Sequence, residues 1–312
     1  MTTENMALDL SIVVPVYNEE ESIESLIFKL TNTLEPEFKN YEIILVDDGS
    51  CDETPMKLKL LSSNDNRLVC IRFRRNFGQH AAMYAGMARA KGELIATIDA
   101  DLQNNPADIL RLVKEMDVDT DIVCAYRSKR KDTILRKIPS RIVNYAAYLV
   151  TGVKLRDFGC SLRLYRRRVI DEIVKYHEMF TAPHALINWL GFRMKEVEVS
   201  HVERQYGRSK MDILGLVKMT YDLVTGFSLI PVQIISLVGK GLTLFGILMS
   251  LLFLFVNIFT GDLFFDFTLF VALSMFYSGL IIWAISVVGE YAARAYIESK
   301  KRPLYIIDEK ED

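Results

Sequence analysis

Two aspartates separated by a single residue, Asp99 and Asp101, are the side chains with the clearest chemical potential in this sequence. They follow the apolar run 93–98, which is typical of a buried strand. Side chains alternate faces along a strand, so both carboxylates would point the same way if the chain stayed extended. Neighbouring carboxylates repel one another unless a cation lies between them, and Mg²⁺ or Mn²⁺ takes one or two carboxylates and fills its shell with phosphate oxygens. The pair favours a metal–phosphate site; the alternative is that one aspartate caps a helix and the other is solvated.

Alternating strands and helices must position these aspartates. Apolar runs predict strands at 10–16, 42–46, 67–73, 93–98 and 121–125. Between them, the apolar residues from Ile23 to Leu34 lie on one face of a predicted helix, and the alanine-rich stretch 79–90 predicts another. Continuous apolar strands that alternate with helices are typical of an α/β fold, with a mostly parallel sheet covered on both faces.

Two asparagines are predicted to begin helices. Asn18 stands three residues before Glu21, which is the spacing of a capping box. Asn105 precedes Pro106, and proline is favoured at the first position of a helix. We therefore expect Asn18 and Asn105 to cap the helices that follow them.

Polar side chains cluster where the predicted strands end. In an open parallel sheet, ligands bind at the carboxyl ends of the strands. The residues placed there are Asp47, Asp48, Asp99, Asp101 and Gln103. The sequence contains neither a Gly-x-Gly-x-x-Gly motif nor a Walker A motif, so metal and Arg or Lys side chains are the groups expected to hold a phosphate.

Charge and cysteine content exclude some classes of partner. With 312 residues and a formal net charge of −2, the chain has no global basic field, which argues against nucleic acid. The four cysteines are isolated, as expected for reduced thiols in a cytosolic domain. Basic residues predominate between Arg127 and Arg141, and this cluster either contacts anionic lipid headgroups or forms a solvated face.

The C-terminal part predicts a membrane anchor. No Lys or Arg occurs from Gly241 to Ala293, and the apolar runs there are long enough to cross a hydrocarbon core of ~30 Å. An amphipathic stretch before them is expected to lie in the membrane interface. The predicted parts are a cytosolic domain at 1–211, an interfacial helix at 212–233, two transmembrane helices within 234–290 (about 234–259 and 263–289) and a cytosolic tail at 291–312.

Basic residues flank the predicted hairpin on both sides. The positive-inside rule therefore places both termini and the N-terminal domain in the cytoplasm, with a multi-pass anchor in the inner (cytoplasmic) membrane. The stretch before Asp9 is short and polar, which does not predict a signal peptide. Two spans form a thin anchor, and a homo-oligomer is compatible with the sequence.

Six segments spread along the chain carry a family resemblance. They are 11–19, 46–50, 74–79, 99–103, 157–163 and 204–210. Together they resemble the GT-A glycosyltransferases of family 2. With the C-terminal hairpin, they are most similar to the polyprenyl-phosphate glycosyltransferases, a group that includes bactoprenol glucosyltransferases, dolichyl-phosphate mannose synthases and the undecaprenyl-phosphate aminoarabinose transferase. The resemblance implies a GT-A, Rossmann-like catalytic domain at 1–211.

The resemblance also implies substrates and a cofactor. The donor would be a nucleotide sugar, UDP-linked by expectation, and the acceptor a membrane polyprenyl (undecaprenyl) phosphate. Mg²⁺ or Mn²⁺ would be held by Asp101 and Gln103. The residues implied for the nucleotide sugar are Pro15, Tyr17, Glu19, Asp47, Asp99, Arg204 and Lys210. Those implied for the acceptor phosphate are Arg127, Arg163, Arg204 and Lys210.

Three aspartates, Asp99, Asp101 and Asp157, are the implied catalytic residues. Asp157 occupies the place where a general base would be sought. The second pKa of a phosphate monoester is about 6, so the acceptor is already largely dianionic at neutral pH and needs positioning more than deprotonation. We therefore expect Asp157 to steady the sugar or to orient an arginine such as Arg163. Direct in-line attack would invert the anomeric centre.

Two other functions fit part of the sequence. The sugar could pass to a different lipid, such as diacylglycerol or ceramide, or the chain could be a non-catalytic membrane scaffold. Neither tryptophan lies in a Gln-x-x-Arg-Trp motif of processive synthases, which favours a single transfer. Glucose, N-acetylhexosamine and formylated aminoarabinose all stay open as the sugar.

Overall fold

The computed structural model describes residues 8–127, 156, 157, 159–176, 190–199, scattered positions between 233 and 248, 267–300 and 302–308. The chain divides into two units. The first combines Met1–Leu223 with Pro303–Asp312, and the second is Val224–Arg302. The last ten residues, Pro303–Asp312, therefore belong to the same unit as the N-terminal part of the chain.

The described residues of the first unit form a seven-stranded sheet of order β3-β2-β1-β4-β6-β5-β7. The strands are β1 (Leu10–Val16), β2 (Tyr41–Asp47), β3 (Leu68–Arg72), β4 (Leu94–Thr97), β5 (Ile122–Arg127), β6 (Arg163–Arg166) and β7 (Met194–Val199). All neighbours pair in parallel except β6, which is antiparallel to both β4 and β5. The predicted mostly parallel sheet is confirmed. The strands β6 and β7 were not predicted, because neither is a continuous apolar run.

Helices flank this sheet, and each of them buries apolar residues. They are α1 (Ile23–Leu34), α2 (Thr54–Asn64), α3 (Gln79–Arg89), α4 (Ala107–Lys114) and α5 (Arg167–Ile173). In α1 the buried residues recur at helical spacing from Ile23 to Leu34, as predicted, and they pack with β1 and β2 in one core. Burial of this apolar face fixes α1 on the sheet, and with it the loop that leaves β1.

The prediction that Asn18 caps α1 is wrong. The helix begins at Ile23 with Ser22 at the N-cap, and Asn18 lies in the left-handed region with a φ of 52°. Its side-chain oxygen instead accepts a hydrogen bond from the backbone N–H of Cys51 at 2.9 Å. Asparagine tolerates this conformation because its side chain bonds nearby backbone, so Asn18 joins two loops rather than starting a helix. Before α4 the N-cap residue is Pro106 rather than the predicted Asn105, although the Asn105 side chain accepts from the backbone N–H of Ala107 at 3.1 Å.

One long apolar helix, α6 (Phe267–Ser299), is described in the second unit. Its part from Tyr277 to Ser299 is long and apolar enough to cross a membrane, with a mean hydropathy of 1.4. The helix continues past the predicted end of the second span at 289. The turn between the predicted spans lies outside the described residues, as does the predicted interfacial helix except for its last residue, Gln233. The first span is described only at scattered helical positions between 235 and 248.

After α6, residues 303–308 lie against the edge of the sheet in the first unit; we name them the C-terminal segment. An isolated antiparallel bridge joins Ile307 to Phe73, directly after β3. The predicted tail at 291–312 therefore differs from the structure: its first part continues α6, and the C-terminal segment pairs with the sheet edge.

Candidate functional site

Two buried aspartates with different partners, Asp47 and Asp48, stand where β2 ends. Asp47 is 1% exposed, and its carboxylate accepts from the backbone N–H of Ser50 at 2.9 Å. The Nε atom of Arg72 lies 3.3 Å from the other carboxylate oxygen. Burial raises the pKa of Asp47, opposed by the Ser50 hydrogen bonds and the charge of Arg72. Asp47 thus lies at the carboxyl end of its strand with one arginine close by.

Asp48 holds the next loop of the site. Its two carboxylate oxygens accept from the backbone N–H groups of Phe77 (2.6 Å) and Gly78 (2.9 Å). Burial raises the pKa of Asp48, and the two backbone hydrogen bonds oppose that rise. Asp48 therefore fastens the Arg-Arg-Asn-Phe-Gly-Gln segment, 74–79, beside the β2 loop. The sequence placed Asp48 at the end of the predicted strand together with Asp47, but it did not predict that Asp48 binds this loop.

Gly49 lets these two loops approach closely. It has a φ of +70°, and a Cβ built there would lie 2.4 Å from the carbonyl carbon of Arg75. We expect Gly49→Ala to destabilise the chain, since a left-handed alanine costs about 1–2 kcal/mol and overpacking adds about 1–3 kcal/mol. The thermal unfolding midpoint of purified protein measures the loss. Gly191→Ala is the control, because φ is +77° there and nothing lies within 4 Å; equal shifts in the two variants would contradict the close-approach argument.

Asp99 connects three of the sequence segments. The Nε2 atom of Gln79 donates to its Oδ1 at 2.7 Å. The Oγ atom of Ser161 donates a short hydrogen bond to its Oδ2. Gln79 closes segment 74–79, and Ser161 lies in segment 157–163, so both orient a carboxylate at the end of β4. Neither was predicted as a site residue.

The two aspartates of the opening motif do not share one extended strand. β4 ends at Thr97, and residues 100–102 form a turn in which Leu102 has a φ of 60°. The expectation of same-face carboxylates on a continued strand is therefore wrong. The turn buries Leu102 in the core and lets the Oδ1 atom of Asp101 accept from the backbone N–H of Gln103 at 3.1 Å.

The donor set at this turn fits a divalent cation that shares its shell with phosphate. Among the described residues, no group of three or more His, Cys, Asp and Glu side chains is placed to hold a metal. Mg²⁺ bound with a diphosphate needs one or two protein carboxylates, with phosphate and water completing the octahedron. Asp101 and Gln103 offer side-chain oxygens on one half-exposed turn, which meets that requirement.

Asp157 and Arg127 form a two-pronged ion pair. The Nε and Nη2 atoms of Arg127 donate to the two Asp157 oxygens at 2.5 and 3.0 Å. The side chains are 5% and 16% exposed for Asp157 and Arg127. Burial lowers the pKa of Arg127, but the hydrogen bonds and charge of Asp157 outweigh it, so that pKa is raised. Both oxygens of the Asp157 carboxylate thus accept hydrogen bonds from Arg127.

Part of the chain that contains these residues matches a known protein family. Residues 11–174 match the model of Glycosyl transferase family 2. This span includes the β1, β2 and β4 ends, Gln79, Asp157 and Ser161. The chain belongs to glycosyl transferase family 2.

Similarity to named family 2 proteins extends over nearly the whole chain. It is 38% identical over 311 residues to an undecaprenyl-phosphate 4-deoxy-4-formamido-L-arabinose transferase of Proteus mirabilis, covering 98% of this chain and 95% of the relative. A Yersinia pestis protein of the same name is 38% identical over 302 residues, covering 96% and 92%. A solved glucosyl-3-phosphoglycerate synthase from Mycobacterium tuberculosis, in complex with Mn²⁺, UDP and phosphoglyceric acid, is 18% identical with a TM-score of 0.49, covering 70% of this chain and 76% of that one.

Four of the predicted donor residues lie at the carboxyl ends of two neighbouring strands. Pro15 is the penultimate residue of β1, Tyr17 and Glu19 follow that strand, and Asp47 is the last residue of β2. Glu19 also accepts from the Ser22 hydroxyl at 2.7 Å, so part of its carboxylate serves the start of α1. Arg204 and Lys210 lie outside the described residues.

Arg163 does not fit its predicted role at the acceptor phosphate. It is 0% exposed in β6, and its Nε donates to the carbonyl of Cys160 at 3.2 Å. A fully buried guanidinium cannot reach a phosphate at the surface. The arginine that Asp157 orients is Arg127, which retains some exposure. Arg163 is instead buried at the start of β6, the strand between β4 and β5.

Proposed function

We propose that this family 2 glycosyltransferase transfers 4-deoxy-4-formamido-L-arabinose from a UDP-linked donor to undecaprenyl phosphate. The observation that carries the proposal is the near full-length similarity to transferases of that name. The similarity extends beyond the family match, which ends at residue 174, and includes the apolar C-terminal part. A polyprenyl acceptor needs such a part, because its phosphate lies at the membrane surface.

The acceptor phosphate supplies its own nucleophile. Its second pKa is about 6, so it carries nearly two charges at neutral pH and has no proton that a base must take. Asp157 already accepts two arginine N–H groups, and hydrogen bonds to the charged form lower a carboxylate's basicity. We therefore assign Asp157 to positioning: it holds Arg127, whose remaining N–H groups bind the acceptor phosphate. Attack from the side opposite the nucleotide inverts the anomeric carbon.

The donor lies across the carboxyl ends of β1, β2 and β4. Pro15, Tyr17, Glu19 and Asp47 line its nucleoside, and Asp99 is held ready by Gln79 and Ser161. Asp101 and Gln103 would hold Mg²⁺ or Mn²⁺, which offsets the charge on the departing nucleoside diphosphate. Arg204 and Lys210 complete the phosphate contacts in this proposal.

The membrane arrangement follows the same reasoning. α6 forms one span, and the apolar run at 234–259 forms the other span of a hairpin in the cytoplasmic membrane. The amphipathic stretch 212–233 lies in the interface, and the basic residues around the hairpin keep both termini in the cytoplasm. This places the catalytic unit where the acceptor phosphate is exposed.

Direct product analysis tests the function. Detergent-purified protein is incubated with undecaprenyl phosphate, Mg²⁺ or Mn²⁺ and, separately, UDP-linked formamido-arabinose, glucose and N-acetylglucosamine, and glycolipid is detected by mass spectrometry. We expect glycolipid with UDP-linked formamido-arabinose, and no glycolipid when EDTA is added or when undecaprenol replaces undecaprenyl phosphate. Product with only another sugar would refute the sugar assignment. Parallel incubations contain diacylglycerol in place of undecaprenyl phosphate, and product in those alone would refute the proposed acceptor. Absence of both product and UDP release would refute the whole proposal.

A further inference from the structure

The C-terminal segment, residues 303–308, pairs with the part of the chain that leaves β3. The backbone N–H of Arg74 donates to the carbonyl of Ile306 at 3.1 Å. The N–H of Asp308 donates to the carbonyl of Arg72 at 2.8 Å. The two bonds bracket Phe73. Because β3 is an edge strand, the segment supplies hydrogen-bond partners that the sheet itself does not.

Aromatic contacts extend this pairing toward the donor site. The ring of Tyr305 stacks on Phe73 with centroids 5.0 Å apart and planes 10° apart. Phe73 in turn meets Phe77 edge to face at 5.7 Å. Such pairs contribute about 0.5–1.5 kcal/mol beyond area burial. Phe77 is the residue whose N–H bonds to Asp48, so the stack runs from the C-terminal segment into the loop 74–79.

Arg72 and Phe73, next to these hydrogen bonds, also contact Asp47, the residue predicted to bind the nucleotide. The N–H of Phe73 donates to the carbonyl of Asp47 at 2.9 Å. The Arg72 side chain forms the ion pair with the Asp47 carboxylate. Asp47, Arg72, Ile307 and Asp308 line one small cavity. Removing the C-terminal segment would therefore free the backbone on both sides of Phe73 and open the surroundings of Asp47.

We propose that the C-terminal segment is a positioning element of the donor site, holding Arg72 to Phe77 so that the site binds the nucleotide tightly. It acts on the donor alone, because its contacts lead to Asp47 and Asp48 and none of those described reach Asp157 or Arg127. Only three residues separate α6 from the segment in sequence. The inference rests on the proposed assignment of Asp47 to the nucleotide.

Two variants of the full-length membrane protein test the proposal: a chain ending at Arg302, and Tyr305→Ala. We expect the Kd for UDP in Mn²⁺ and the donor KM to rise about tenfold, a loss of about 1.4 kcal/mol in binding. The kcat and the acceptor KM should change less than about twofold. Tyr305→Phe keeps the stacked ring and should restore donor affinity. A chain ending at Asp308 is the matched control, since it keeps every contact described above, and it should bind UDP like wild type.

Two results would overturn the proposal. Unchanged UDP affinity in both variants would show that the segment does not act on the donor site. A comparable loss of kcat, of acceptor affinity (a higher acceptor KM) and of donor affinity would show a general structural role. Since UDP binding is measured without acceptor or sugar, wild-type protein that binds UDP but forms no glycolipid contradicts the proposed function alone. Wild-type protein that fails to bind UDP contradicts both.

Discussion

Asp101→Asn is expected to lower glycolipid formation about 10²–10³-fold, as follows from removing one group that stabilises charge in a transition state. The substitution keeps the size of the side chain and an oxygen that can accept from the Gln103 backbone N–H, so the turn at 100–102 is retained. It removes the negative charge that a hard divalent cation requires. We expect the thermal midpoint to change little and the Mn²⁺ concentration for half-maximal rate to rise.

Asp119→Asn is the control for this experiment. It makes the same chemical change in a carboxylate that pairs with Arg193 at 2.8 Å where both side chains are exposed, and such surface pairs contribute little. Activity should stay near wild type. If Asp101→Asn retained a third or more of wild-type activity with unchanged metal dependence, the assignment of Asp101 to the metal would be wrong.

Local apolar patterns were sufficient to place most of the sheet. β1, β2 and β4 are mostly apolar in sequence and buried in the structure. Runs of this kind are typical of strands in a parallel sheet, so they could be predicted without knowledge of long-range contacts. β6 is different. It reads Arg-Leu-Tyr-Arg, and both Arg163 and Tyr165 are buried because the strand inserts between β4 and β5. No periodicity in four residues of this kind could have indicated that position.

The sequence placed three candidate donor-site aspartates at one edge of the sheet, but it did not indicate the hydrogen-bond partners of the candidate site residues. Asp47, Asp99 and Asp101 follow apolar strands, so the α/β fold puts them at one edge. The Gln79–Asp99 and Ser161–Asp99 hydrogen bonds span 20 and 62 residues of sequence. The same holds for the Arg127–Asp157 pair, which spans 30. Whether residues this far apart in sequence form a hydrogen bond depends on the conformation of the loops that carry them. The residue pattern of a single sequence does not predict that conformation.

Asp157→Asn is expected to destabilise the protein strongly and to impair catalysis less than Asp101→Asn. Removing one partner of a buried ion pair costs about 3–5 kcal/mol, because the other charge stays buried and unpaired. The Arg127 side chain retains 16% exposure, so solvent screens part of that charge and we expect the lower end of the range. Thermal or denaturant unfolding of the purified protein measures this loss.

The double variant Arg127→Gln/Asp157→Asn separates stability from positioning. A neutral amide pair can form one hydrogen bond without a buried charge, so we expect it to recover much of the stability that Asp157→Asn loses. It should not recover activity, because the arginine assigned to the acceptor phosphate is gone, and the acceptor KM should rise while UDP affinity stays near wild type. The single variant Asp157→Asn keeps Arg127 and should keep measurable activity, with the same acidic limb in its pH profile as wild type, because that limb reports protonation of the acceptor phosphate rather than of Asp157. Complete inactivity of Asp157→Asn at every pH, in folded protein that still binds UDP-sugar, would instead make Asp157 the base and leave Arg127 as its orienting partner.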